Sequence, residues 1–332
     1  MKRVSMQDIA DKLGLSKGTV SLVLSGKAKG SRVSEETSKK VIQMAEEMNY
    51  QPNEIARSLS TGKSMSIGVV VTDISNEFFG NLTFHIQEQA KKYGYTVITS
   101  NTNESLEEFR NAIATLLNKQ VDGIILVPVD EGQEMVLKIM KRNLPMVQID
   151  RYYPGIKANY IIIDNYKVSR NVIEVLIGKG LRRIAVVCYD INLNALTERR
   201  QGYIDALTHH KLLDTALIKN INYENQEEEI KQAIIDLKNN PDKVDAIFFC
   251  SRKVFITGVK YMHREGIKIP EQMEVVCFDE IDSFSITNMP ITYIKQPIRQ
   301  MGEKAVDILM EQMSGSGDVN EYVFDAEIEY SI

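Results

Sequence analysis

Lys17, Gly18, Ser21 and Leu22 are spaced so that they face outward near the start of one short helix, with Val20, Val23 and Leu24 on its inner side. An ammonium, a hydroxyl and an apolar tip at the N-terminal end of such a helix are groups that can meet base edges in a major groove. Ser16 stands where a capping hydroxyl belongs, and Thr19 lies in the first turn. Further along, Asn53 and Arg57 are polar and can reach phosphates, while Ala56 and Leu59 share an apolar face.

The elements that must position these residues are equally visible. Ser5 can cap a helix whose apolar stripe is Ile9, Ala10 and Leu13, and Gly14 ends it where a left-handed residue is wanted. Ser34 starts a third helix, with Glu35 and Glu36 in its first turn and Val41, Ile42, Ala45 and Met48 as its buried stripe. The spacing therefore predicts an all-α helix-turn-helix head over residues 1–50. Pro52 and Gly62 bracket one more helix of about nine residues, too short to be stable alone in water, and 51–63 reads as a hinge helix and linker.

Composition sets limits on the rest. The chain of 332 residues carries a formal net charge of -5, divided as +4 over residues 1–64 and -9 over the remainder. A basic front on an acidic body fits a module that meets a polyanion, joined to one that does not. No apolar run is long enough for a membrane span, and the N-terminus turns acidic before a signal-peptide core can form; both predict a cytoplasmic protein. Cys188, Cys250 and Cys277 each end or sit in an apolar strand-like run and read as small core residues. The four histidines show no metal-ligand spacing, and nucleophile-elbow, P-loop and dinucleotide fingerprints are missing, so neither a metal, a cofactor nor an enzyme is expected.

From Ser66 onward short apolar runs alternate with helical stretches, which predicts parallel sheets covered by helices. SIGVVV, YTVITSN, DGIILVP and PMVQID read as strands of one lobe; YIIID, RIAVVCY, AIFFC and EVVCFD read as strands of a second. The expected fold class is the α-helical head plus α/β, with two doubly wound lobes over 64–332. The lobes are expected at about 64–161 with 291–320, and 162–290 with 321–332. Ligands in such sheets sit beyond the carboxyl ends of the strands, so the cleft between lobes is the expected site.

The segments MQDIADKLGLSKGTVSLVLSG, YQPNEIARSLSTGKS, SIGVVVTDISNEFFGNL, KQVDGIILVP, YIIIDNY and GIKIPEQMEVVCFDE, in that order, make the chain resemble the lac repressor (LacI/GalR) family of transcription regulators. The resemblance covers essentially the whole chain. It implies lobes of the type I periplasmic-binding-protein kind and a homodimer on a pseudo-palindromic double-stranded DNA operator. It further implies a small-molecule effector, a sugar or sugar derivative, held between the lobes. Ser16, Lys17, Gly18, Thr19, Ser21 and Leu22 would then face DNA, and Asn53, Ala56, Arg57 and Leu59 would belong to the hinge helix, Leu59 as a minor-groove wedge. Phe78, Phe79, Asp150, Arg199 and Asp279 match positions from which relatives contact the effector.

Departures from the family pattern bear on specificity. Leu22 stands where many relatives carry an arginine, so apolar contact replaces guanine reading there. Ser251, Arg252 and Lys253 replace a polar pair after AIFFC. With Arg151 and Arg199, these cations would favour an anion, a phosphorylated or acidic sugar; the alternative is that Arg252 and Lys253 pair with acidic neighbours on the surface. A transport binding protein built from the same two lobes is the competing class, and the basic head argues against it.

Overall fold

The structure, a computed structural model, describes residues 4–26, 28, 31–51, 58, 61–281, 290–315 and 318–330. The chain forms two compact units, Met1–Ser64 and Met65–Ile332.

In the first unit α1 (Met6–Leu13), α2 (Lys17–Leu24) and α3 (Glu35–Glu47) enclose a small core of Ile9, Ala10, Val20, Val23, Val41 and Ala45. Their starts are set locally. Oγ of Ser5 accepts the N–H of Asp8 at 3.3 Å, Ser16 that of Thr19 at 3.1 Å, and Ser34 that of Thr37 at 3.1 Å. Asp8 returns the bond to the Ser5 N–H at 2.7 Å, completing a capping box. Gly14 stops α1 at φ 66°, a conformation that penalises any Cβ. One expectation fails: Ile42 is 47% exposed, because Val41 and Ala45, with Met44 and Met48 beside them, already fill the inner face. Asn53, Ala56, Arg57 and Leu59 of the expected hinge helix lie outside the described residues, as do Lys27, Lys29 and Gly30.

The second unit holds two six-stranded sheets among its described residues. The first takes β1 (Ser66–Val71), β2 (Thr96–Asn101), β3 (Gly123–Leu126), β4 (Met146–Ile149), β5 (Asn159–Ile163) and β11 (Glu321–Phe324) in the order β11-β5-β4-β3-β1-β2. The second takes β6 (Ile184–Tyr189), β7 (Ile218–Ile221), β8 (Ala246–Phe249), β9 (Glu274–Phe278), β10 (Thr292–Lys295) and β12 (Glu327–Tyr330) in the order β12-β10-β9-β8-β6-β7. Pairing is parallel throughout except between β10 and β12. Around these sheets pack α4 (Glu77–Lys92), α5 (Leu106–Asn118), α6 (Gln133–Lys141), α7 (Asn165–Gly178), α8 (Asn194–His209), α9 (Gln226–Lys238), α10 (Arg252–Arg264) and α11 (Ile298–Met313). Helices on both faces explain the unbroken apolar runs: β6, IAVVCY, is buried at every residue.

The lobes divide differently from the sequence reading. The YIIID strand was expected in the second lobe; as β5 it lies in the first sheet, between β4 and β11, with Asn159 opposite Val147. Residues 291–320 were expected in the first lobe and 321–332 in the second; β12 does join the second sheet, but β10 lies in the second sheet and β11 in the first. The cause is that the chain passes between the sheets three times, at Asp164, at Gln296 and Pro297, and at Asp325 and Ala326. An apolar strand reads the same in either sheet, so its pattern does not say which one it joins.

One glycine governs how the cleft-bearing helix packs. A Cβ at Gly202 of α8 would lie 2.5 Å from the Tyr166 carbonyl oxygen and 2.9 Å from the Arg170 nitrogen of α7, both backbone atoms. Gly202→Ala should therefore push α8 off α7 and destabilise the unit by about 1–3 kcal/mol. Urea denaturation of the full chain measures this, and an unchanged midpoint would show that the helices can part freely.

Candidate functional site

On the head, α2 presents Lys17 and Gly18 as exposed residues, with Thr19, Ser21 and Leu22 partly exposed. Ser16 and Thr19 are tied together: besides the cap, their hydroxyl oxygens lie 2.9 Å apart. Acidic residues occupy the first turns of α1 and α3, namely Asp8, Glu35 and Glu36, whereas the first turn of α2 has none. The positive end of that helix dipole is thus unopposed and carries Lys17, which suits an anionic backbone.

In the second unit, a cleft is lined from both lobes and includes Phe78, Phe79, Asp150, Arg151, Arg199 and Asp279. Phe78 and Phe79 stand in the first turn of α4, edge to face with ring centres 5.0 Å apart, and the cap residue Asn76 accepts the Phe78 N–H at 3.2 Å. They form an apolar wall on the first lobe.

Asp150 and Asp279 follow β4 and β9, the corresponding strands of the two lobes, and both adopt left-handed backbone, φ 69° and 97°. Each is anchored by its N–H, Asp150 to the Ile161 carbonyl at 2.9 Å and Asp279 to that of Ile294 at 3.1 Å. Non-glycine residues held at such angles cost about 1–3 kcal/mol, strain that concentrates at ligand sites. Burial raises both carboxyls. That of Asp279 is pushed up to about 6, with the Asp150 charge adding to the rise and Arg199 and the Gln296 bond opposing it. Gln296 Nε2 donates to Asp279 Oδ1 at 2.5 Å.

Arg199 is 5% exposed and is held on three sides. Nε donates to Asn165 Oδ1 at 2.8 Å, Nη1 donates to the Cys250 carbonyl at 2.8 Å, and the guanidinium lies 3.4 Å from the Phe278 ring centre. Among the described residues this leaves its remaining donors for the cleft, where Asp279 and Asp150 share its field.

Arg151 is spoken for by its own lobe. It makes a two-pronged bond to Glu104 at 2.8 and 2.9 Å, reaches Asp150 Oδ2 at 3.1 Å and donates to the Pro128 carbonyl at 3.1 Å. Its carboxylate partners hold the guanidinium charged despite its burial. Arg252 is not among the inner lining; it pairs with Glu77 at the cleft mouth and donates to the Glu280 carbonyl at 3.3 Å. Lys253 does line the cleft, 3.8 Å from Asp73 and 5.5 Å from the Tyr223 ring centre. The sequence left open whether these cations recruit an anion or whether Arg252 and Lys253 pair with acidic neighbours. In the fold Arg151, Arg252 and Lys253 already face carboxylates, which removes most of that pull.

Several lining residues escaped the sequence reading, among them Glu104, Tyr189, Tyr223 and Gln296. Tyr189 ends the RIAVVCY run, and an aromatic at a strand's carboxyl end was a usable signal. Gln296 sits at a lobe crossing that no periodicity marks. Cys188, Cys250 and Cys277 are free and buried, as expected of core residues. No group of metal-ligating side chains occurs among the described residues, and no helix there is long and apolar enough to cross a membrane.

Comparison with known proteins places both units. Residues 5–53 match the model of bacterial regulatory proteins of the lacI family, and residues 173–328 match a periplasmic binding protein-like domain. The ribose operon repressor of Halalkalibacterium halodurans is 30% identical over 315 residues, covering 93% of this chain and 90% of that one. The transcriptional repressor PurR of Vibrio atlanticus is 30% identical over 98% of this chain and 96% of its own. Among solved structures, a lac repressor dimer bound to operator and the anti-inducer ONPF aligns over 99% of both chains with a TM-score of 0.87 at 22% identity, a likeness of fold. The relatives are transcription regulators and not enzymes. With a DNA-reading head, two periplasmic-binding-like lobes and relatives of this identity and coverage, the chain belongs to the lacI family of bacterial transcription regulators.

Proposed function

We propose that this chain is a cytoplasmic repressor that binds a pseudo-palindromic operator as a homodimer and is controlled by an uncharged sugar or sugar derivative held between its lobes. The observation that carries the ligand reading is the pair of strained, buried aspartates, Asp150 and Asp279, one from each lobe, beside Arg199 and the Phe78–Phe79 wall. Carboxylates accept from ligand hydroxyls, the arginine donates, and the aromatic faces cover apolar ring edges. The solved cellobiose complex of the regulator CelR, which aligns over 99% of this chain with a TM-score of 0.72, lends the sugar class support by analogy. Phe84 on α4, 57% exposed, and Ile256 on α10, 47% exposed, offer apolar surface that a second copy would cover.

Ser16, Lys17, Gly18, Thr19, Ser21 and Leu22 are assigned to the major groove, and Asn53, Ala56, Arg57 and Leu59 to a hinge helix that folds on the operator. Ligand binding acts by changing whether two hinges can fold side by side. Operator selection from random DNA, followed by binding titrations with neutral sugars, sugar phosphates and uronates, tests the whole reading. Tight binding of the phosphates or uronates with no response to neutral sugars would overturn the uncharged ligand. Leu59→Ala should weaken specific operator binding by roughly tenfold or more while leaving the ligand response intact; parental affinity would remove the wedge assignment.

A further inference from the structure

We propose that Glu77 with Arg252, and Asp73 with Lys253, form an ion-pair latch across the cleft mouth that holds the lobes closed without ligand, so that a ligand enters only by breaking it. Glu77 stands in the first turn of α4 in the first lobe, and Arg252 in the first turn of α10 in the second. Their charged groups are in direct contact, with side chains 25% and 13% exposed, so the pair holds more firmly than a surface pair and still weakens in molar salt. The Glu280 carbonyl orients the Arg252 guanidinium at 3.3 Å. Asp73 is held by Ser75, whose N–H and hydroxyl donate to it at 3.0 and 2.5 Å, and Lys253 approaches it to 3.8 Å. A further bond between lobes runs from the Tyr152 N–H to Asn194 Oδ1 at 3.2 Å.

The cleft at the latch offers a volume of about 70 Å³. Sites for small organic ligands usually offer ~300 Å³ or more, so the latched cleft is too narrow to bury a sugar-sized molecule. The lobes must part, and the ion pairs at the mouth are what parting separates. The latch rests on reading this cleft as the ligand site, but its test needs no ligand.

Spin labels on cysteines introduced at exposed Glu108 of α5 and Gln232 of α9 report the interlobe distance in the full chain by pulsed electron paramagnetic resonance. The native cysteines are buried and stay unlabelled. The parent should show a narrow, short distribution that lengthens in molar sodium chloride. Glu77→Gln combined with Asp73→Asn should lengthen it by several ångströms at low salt, and Glu77→Arg combined with Arg252→Glu should restore it. The latch is overturned if the neutralised variant keeps the parental distribution, or if the charge swap stays open. Should a variant fail to fold, the parent's own salt titration decides, and a distribution unmoved by salt overturns the proposal. A failed latch leaves the sugar reading standing, and an unresponsive sugar panel leaves the latch standing.

Discussion

Arg151→Met is expected to cost the ligand-binding unit about 3–5 kcal/mol of folding stability at neutral pH, the loss that follows when one member of a buried charge network is removed. Arg151 bonds both oxygens of Glu104, one oxygen of Asp150 and the Pro128 carbonyl, and its side chain is 10% exposed. Methionine fills similar space without a donor, so the carboxylates of Glu104 and Asp150 remain buried and uncompensated. The deficit should shrink in acid, where the Asp150 carboxyl, raised by burial, takes up its proton and needs no cationic partner. Urea denaturation from neutral to mildly acid pH measures both effects. A loss under about 1 kcal/mol at neutral pH, the range of exposed pairs, would mean that water reaches the network.

Asp279→Asn should act in the opposite direction, stabilising the unit by about 3 kcal/mol at pH 7 to 8. Burial holds the Asp279 carboxyl near pKa 6, above its ordinary value of 3.8, so the ionised form is disfavoured in the folded chain. Protonation therefore favours folding: that contribution is complete below about pH 4 and is lost as pH rises through about 6. Asparagine carries no charge to bury, so the variant's advantage is full above pH 6 and fades toward pH 4. Asparagine also tolerates φ 97° better than most residues and can accept the Gln296 bond. Thermal unfolding across this pH range gives the measurement, and a pH-independent difference would contradict the buried-carboxyl reading. The same variant should lose its ligand response, since a stability sacrificed at a cleft is the usual mark of a residue kept for binding.

The two variants address different kinds of residue. Arg151 was expected to face ligand, yet its charge is consumed within the first lobe. Asp279 was expected at a strand end facing ligand, and it lines the cleft with one amide partner and no carboxylate-to-cation bridge among the described residues. The difference comes from neighbours that sequence spacing does not reveal. Glu104 is 47 residues from Arg151, and only the paths of β2 and β4 through one sheet bring the loops after them together.

Much of the head and the outline of the lobes was legible in the sequence, because the forces that set them are local. Ser5, Ser16 and Ser34 satisfy helix N–H groups three residues away, Gly14 takes the backbone angle that ends α1, and Val20 and Val23 follow from helical period. Apolar runs of strand length announced β1, β6, β8 and β9, since a strand covered on both faces has no polar alternation to hide it. Phe78, Phe79, Asp150, Arg199 and Asp279 reached the cleft because topology places strand ends and helix starts at one edge of a parallel sheet. Tertiary structure alone decided that β5 and β11 belong to one sheet and β10 to the other, and which carboxylate each cation meets. A hydrogen bond within a turn is chosen by neighbours in the chain. An ion pair across a cleft, or a strand's place in a sheet, is chosen by where the whole backbone has already gone.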